Sequence, residues 1–270
     1  MSDLLDRLSF NQMTASPWSL AEAVHQCHIN NVRHIAPWRH KLSDNIAADA
    51  QLIRNAGLTV SSLCRGGFFS APTPEARRDR IADNRLAIDQ AHALNTRVLC
   101  LVCGPAEGQS LPDARATVLD ALHELLPYAQ QANVTLAIEP LHPMYCADRS
   151  VINTLQQAND MLDALAHPNA GVVVDVFHVW WDPEVFTQIT RSAHRIAGFH
   201  VSDWPVPLPA ILNGRDVMGN GVINIRALRQ AVDATGYTGP IEIEIFNDAL
   251  WASADATLIP LLQQRFQAHV

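Results

Sequence analysis

Val134-Thr135-Leu136-Ala137-Ile138-Glu139 is a short apolar run that ends in a carboxylate. The chain repeats the design in Gly171-Val172-Val173-Val174-Asp175, Ile196-Ala197-Gly198-Phe199-His200 and Pro240-Ile241-Glu242-Ile243-Glu244. Each run reads as a buried strand. A charged or coordinating side chain at the end of a buried strand loses hydration, and something must compensate. Glu139, Asp175, His200 and Glu244 together offer three carboxylates and one imidazole, a ligand set suited to one divalent metal ion.

Working outward, further strands are predicted over residues 7–13, 33–37, 58–64 and 97–103, with those above taken as 134–140, 171–177, 196–202 and 240–246. Amphipathic helical stretches alternate with them, over 19–30, 73–94, 111–132, 154–165, 225–235 and 255–268. Ser19 with Glu22 makes a capping box, and Gly236 is a natural helix stop. Eight βα units in a chain of 270 residues predict a single (β/α)₈ TIM barrel, with residues 1–270 as one domain. A doubly wound open sheet is the alternative, but Phe10-Asn11-Gln12-Met13-Thr14 lacks the glycines of its phosphate turn. In a barrel, the four strand ends fall on neighbouring strands at one side of the mouth.

Composition narrows the function. A formal net charge of −8 argues against nucleic acid as a partner. No run is long and apolar enough to span a membrane, and Met1 to Arg7 does not read as a signal peptide. The expected location is cytoplasmic. Five irregularly spaced cysteines read as free thiols; Cys100 and Cys103 point to opposite faces of one strand and do not chelate together. Lys41 is the only lysine, which removes most Schiff-base chemistry.

Other residues gather around the four ligands. In Ile241-Glu242-Ile243-Glu244-Ile245 the glutamates share one face; the isoleucines pack on helices, so Glu242 lies below Glu244 inside the barrel as a partner for the ligands. His178 and His142 follow Asp175 and Glu139 by three residues and are candidates to bind substrate, against loop-structural roles. Arg215, in a glycine-rich loop, offers a guanidinium to hydroxyls or carboxylates, and Asp203 is expected to anchor a loop. Trp38, Trp180, Trp181, Trp204 and Trp251 follow strands and suit either the walls of a sugar site or packing between loops.

These motifs resemble the xylose isomerase-like TIM-barrel superfamily, the sugar phosphate isomerase/epimerase group. The matching stretches are Ile138-Glu139-Pro140-Leu141, Val174-Asp175-Val176-Phe177-His178, Phe199-His200-Val201-Ser202-Asp203, Arg215 with Gly219-Asn220-Gly221, and Ile243-Glu244-Ile245-Phe246. The resemblance implies a metal site of Glu139, Asp175, His200 and Glu244, proton exchange by Glu139 and Glu244, and a substrate hydroxyl on His178. It also implies a small-molecule polyol or keto-sugar substrate and a homo-oligomer, dimer or tetramer. Leu141 stands where xylose isomerase has a lysine, and Tyr145 where keto-sugar 3-epimerases tend to have a further glutamate.

The chemistry of the donor set agrees. Three carboxylates and an imidazole favour Mn²⁺, Mg²⁺, Co²⁺ or Zn²⁺ with positions open to substrate oxygens. Such a metal polarises a carbonyl and stabilises an enediolate while a carboxylate takes or returns the carbon-bound proton. The expected activity is isomerisation or epimerisation. A lyase of inosose or dehydroshikimate dehydratase type is the alternative, and a non-catalytic sugar- or metal-binding protein is a third.

Overall fold

The architecture is described from a computed structural model covering residues 4–71 and 73–270; Met1 to Asp3, the start of the stretch read for a leader, lie outside the described residues. Among the described residues, nine parallel strands form one sheet. They are β1 (Leu8–Asn11), β2 (His34–Ala36), β3 (Thr59–Val60), β4 (Leu63–Gly67), β5 (Val98–Val102), β6 (Thr135–Ile138), β7 (Ala170–Asp175), β8 (Ile196–Val201) and β9 (Ile241–Ile243). Their spatial order is β3-β2-β1-β9-β8-β7-β6-β5-β4. The two ends of that order, β3 and β4, are consecutive in the chain, so the sheet curls into a nearly closed barrel.

The closure corrects one expectation. The third strand, predicted as continuous over 58–64, is broken at Ser61-Ser62 and runs on to Gly67. The reason lies in the backbone of β2 and its continuation. Ser61 N donates to Ile35 O at 3.0 Å and Cys64 N to Pro37 O at 3.2 Å, so β2 hands the chain from one half-strand to the other. Ser61 also turns its hydroxyl toward Ser9 Oγ (2.7 Å) and Glu242 Oε1 (3.0 Å). That inward polar contact accompanies the break.

The helices are α1 (Leu20–Ile29), α2 (Ile46–Asn55), α3 (Pro74–Ala93), α4 (Leu111–Gln131), α5 (Leu155–Leu165), α6 (Val176–Val179), α7 (Val185–Arg191), α8 (Ile225–Ala234), α9 (Asp248–Ala252) and α10 (Leu258–His269). Helix α1 opens on the expected Ser19–Glu22 capping box. Thr73, Ser110, Thr154 and Asn224 cap α3, α4, α5 and α8, each accepting from a backbone N–H of the first turn. Helices α2 and α7 were not expected. Their buried apolar residues are only Ala50 and Ile53 in the one, Val185 and Ile189 in the other, too few to make a periodic stripe.

Besides a cluster of Val102, Leu141, Tyr145 and Phe177, two apolar layers result. The larger lies between strands and helices, and Ile241, Ile243 and Ile245 belong to it at 0% exposure. The smaller fills the barrel with Cys64, Cys100, Ala137 and Val173. Cys100 thus faces inward while Cys103 packs in the outer layer, as strand alternation requires. All five cysteines are free.

Candidate metal centre and its cleft

Strands β6, β7, β8 and β9 are neighbours around the barrel. Glu139 follows β6, Asp175 ends β7, His200 is the penultimate residue of β8, and Glu244 follows β9. The ladder registers Asp175 with His200 and His200 with Glu242. Glu139 N and Glu244 N continue it, donating to Leu101 O and Val201 O at 3.1 Å. Backbone pairing therefore fixes where the four side chains point. One donor atom from each of Glu139, Asp175, His200 and Glu244 lies within 4.8 Å of the others, and all four residues are buried.

The donor set fits a divalent cation. Glu139 Oε1 and both ring nitrogens of His200 are buried and have no hydrogen-bond partner, an arrangement that is unfavourable unless another group satisfies them. His200 Nδ1 lies 3.2 Å from Glu139 Oε1 and 3.7 Å from Glu244 Oε2, so Nδ1 faces the carboxylates. Nε2 lies 3.3 Å from Glu242 Oε2. Glu242 is itself held by Ser61 Oγ at 3.0 Å and Asn11 Nδ2 at 3.4 Å. Glu242 thus stands on the side of the ring away from Glu139 and Glu244, the position from which a carboxylate supports a metal-ligating histidine. Asn11 Nδ2 also donates to Glu244 Oε1 at 3.1 Å, and Asn11 Oδ1 accepts from Trp38 Nε1 at 2.9 Å.

Arg215 is drawn into this cluster from its loop. Its Nη1 donates to Asp175 Oδ2 (2.8 Å), Glu244 Oε2 (3.0 Å) and Glu244 O (3.1 Å). The guanidinium sits against the rings of Phe177 (4.7 Å) and Phe246 (5.4 Å). The loop reaches inward because its backbone packs closely: a Cβ on Gly214 would stand 2.0 Å from Ala210 O. Asp203 anchors the far end of the loop, accepting from Gly219 N (2.8 Å), Trp204 N (2.9 Å) and Ile223 N (3.1 Å).

The charges do not share Arg215 equally. Burial raises Asp175 to about 7, with Glu139 and Glu244 adding to the rise and Arg215 opposing it. Burial also pushes Glu244 upward, but Arg215 and His200 outweigh it and bring the carboxyl down to about 2. The two carboxylates touch the same guanidinium nitrogen, and of the pair Asp175 is the one pushed upward. Burial lowers His200, yet Glu242, Glu139 and Glu244 hold it well above its ordinary value. His178 is held neutral by burial, then by Arg215.

The remaining expected residues divide. His178 is buried in α6 with Nε2 3.0 Å from Arg215 Nη2, and its Nδ1 accepts from His142 N at 3.2 Å. His142 packs its ring against Trp181 and Trp204, and its Nδ1 accepts from Met144 N at 3.2 Å. Trp204 stacks on Phe177, and the indole N–H groups of Trp181 and Trp251 donate to His178 O and Met13 O. Trp38 lines the cleft above the cluster, along with Glu139, His178, Arg215 and Glu244. The cleft measures about 590 Å³ with its open mouth, and Arg65, Tyr145 and Arg149 line it too. Sequence reasoning missed those three and Asn11. Asn11 falls inside the strand predicted over 7–13, and nothing local marks it or the others.

Residues 24–263 match the family model of the xylose isomerase-like TIM barrel. The crystal structure of protein SMc04130 from Sinorhizobium meliloti 1021 superposes with a TM-score of 0.95 at 39% identity, covering 98% of each chain. A 3-dehydroshikimate dehydratase of Pseudomonas putida is 29% identical over 188 residues, 66% of this chain and 28% of that protein. An inosose isomerase of Halalkalibacterium halodurans is 24% identical over 183 residues, 66% of this chain and 64% of that protein. With the family model matched along most of its length, the chain belongs to the xylose isomerase-like TIM-barrel family.

Proposed function

We propose that this chain, residues 1–270 acting as one domain, is a divalent-metal-dependent isomerase or epimerase of a keto-sugar or related polyol. The observation that carries the reading is the convergence of Glu139, Asp175, His200 and Glu244 within 4.8 Å, beneath a cleft that Glu139 and Glu244 themselves line. Those four residues would hold the cation. When bound, it supplies Lewis-acid polarisation of a carbonyl and stabilises the negative charge left when an adjacent proton departs.

The chain's own groups do the rest. Glu139 and Glu244 are the catalytic carboxylates: one removes the proton α to the carbonyl; for epimerisation the other, protonated from solvent, delivers its own proton to the opposite face, and for isomerisation the first passes its proton to the neighbouring carbon. Arg215 and His178 offer polar atoms to substrate oxygens, Trp38 covers an apolar face of the sugar, and His142 sets the position of His178 through its backbone N–H. A cytoplasmic setting accords with five free thiols.

The similarity to a dehydratase supports a second reading, in which the same deprotonation is followed by loss of a β-hydroxyl. Incubation of the Mn²⁺-loaded protein with candidate keto-sugars in deuterated water separates the two. Isomerase action places deuterium in a product isomeric with the substrate; dehydration yields a product lacking one water. Glu139→Gln and Glu244→Gln each lower kcat by about 10²-fold or more. A protein that takes up no divalent metal, or whose turnover survives both substitutions, overturns the proposal.

A further inference from the structure

Two cations in the cleft have no part in that scheme. Arg65 and Arg149 line it beside Glu139 and Glu244. Arg65 lies where the β4–β5 ladder slips: Cys64 pairs with Cys100 and Gly66 with Leu101, which leaves Arg65 as the extra residue of a bulge. Bulges at barrel rims re-aim side chains. Here Cys64 packs inside the barrel, and a Cβ on Gly66 would meet the side chains of Leu99 and Leu101 in the outer layer. Arg65 is freed to line the mouth, with its guanidinium 4.0 Å from the ring centre of Phe68.

Among the described residues, neither arginine has an acid to neutralise it at hydrogen-bond distance. Asp83 is occupied by Arg39, which donates to both of its oxygens at 2.7 and 3.0 Å. Arg149 has exposed Asp148 at 3.9 Å, and its Nε is buried without a hydrogen-bond partner. Among the described residues, no ion pair joins Arg65 or Arg149 to the buried carboxylates, whose guanidinium partner is Arg215. Burial, and then the charge of Arg149, lower the affinity of Arg65 for its proton. Two half-buried guanidiniums lining one cleft in a chain of net charge −8 are an unbalanced arrangement that an anion would balance.

We propose that Arg65 and Arg149 form an anion subsite in the cleft. The substrate is then a polyhydroxy carbonyl compound carrying a terminal carboxylate or phosphate, held at that end by the two guanidiniums. This substrate class rests on the isomerase reading above; the subsite itself does not.

Sorbitol, gluconate and sorbitol 6-phosphate share a carbon chain and differ at its end, so they serve as probes. Calorimetric titration of the metal-stripped protein should show gluconate or sorbitol 6-phosphate binding about tenfold more tightly than sorbitol. Whichever is favoured identifies the anion. Arg149→Gln, at an accessible loop position, and Arg65→Gln should each reduce that preference and jointly abolish it. Lysine at both positions should retain part of it and shows that the fold survives. Equal binding of the three probes, absence of binding, or a preference that persists in the double glutamine variant overturns the subsite. Manganese uptake of the same samples is measured separately: its absence sinks the isomerase reading and leaves the anion preference standing.

Discussion

Arg215 Nη1 lies between Asp175 Oδ2 at 2.8 Å and Glu244 Oε2 at 3.0 Å, with the residue 5% exposed. Replacing it by methionine keeps the packing against Phe177 and Phe246 but leaves buried carboxylates uncompensated. Removing one partner of such a group destabilises by about 3–5 kcal/mol. The urea midpoint of metal-stripped Arg215→Met should fall accordingly, and Mn²⁺ should recover part of the loss. A midpoint equal to wild type contradicts the role given to Arg215. Glu242 acts one step away, through His200 Nε2 at 3.3 Å. Glu242→Gln should weaken Mn²⁺ binding by about 10- to 100-fold in a calorimetric titration, with all four direct donors intact. Glu242 in β9 and Glu244 just after it were legible because strand alternation assigns faces without tertiary information. Arg65, Tyr145 and Arg149 were not, because their approach depends on a bulge and on loops whose course no local spacing encodes.

At the scale of elements, a tightly constrained point is the end of β4. Gly67 has φ +101°, and a Cβ there would stand 2.0 Å from Val102 O. The obstacle is backbone of the neighbouring strand, so it does not yield as a side chain would. Gly67→Ala should destabilise by about 2 kcal/mol or more and disturb the residues that follow, beginning with Phe68, whose N–H donates to Val102 O at 2.8 Å. Chemical denaturation measures the first effect; a variant as stable as wild type would show that the strand end has room. The same element marks where sequence reading stopped. An apolar run over 58–64 gives strand character but not the break at Ser61-Ser62, which follows from pairing with β2 and from Glu242 far away in the chain. Capped helices with repeated leucines, such as α4, were legible; α2, with Ala50 and Ile53 as its buried apolar residues, was not.

For the molecule as a whole, barrel closure gathers ligands spread from residue 139 to residue 244 at one end of the strands. His34 stands at the opposite end. Its Nε2 is 3.1 Å from Asp6 O and its Nδ1 2.6 Å from Thr59 Oγ1, joining the first 3₁₀ turn, β2 and β3. A neutral ring satisfies both contacts by donating from Nε2 to the carbonyl and accepting at Nδ1 from the hydroxyl. Burial lowers His34 below the ordinary histidine range, although the Asp6 carbonyl favours the charged form. On acidification below about pH 6.5, the unfolded chain therefore takes up a proton at this position before the folded one does. The contribution of His34 is present above that pH and is lost as pH falls toward its depressed folded value. Glutamine keeps a donor and an acceptor but does not titrate. His34→Gln should accordingly lose less of its Tm than wild type between about pH 7.5 and pH 5.5. The comparison is made on metal-stripped protein at both pH values, where the carboxylate cluster contributes equally to the two chains. Parallel Tm profiles would show that the folded protein protonates His34 as readily as the unfolded chain does.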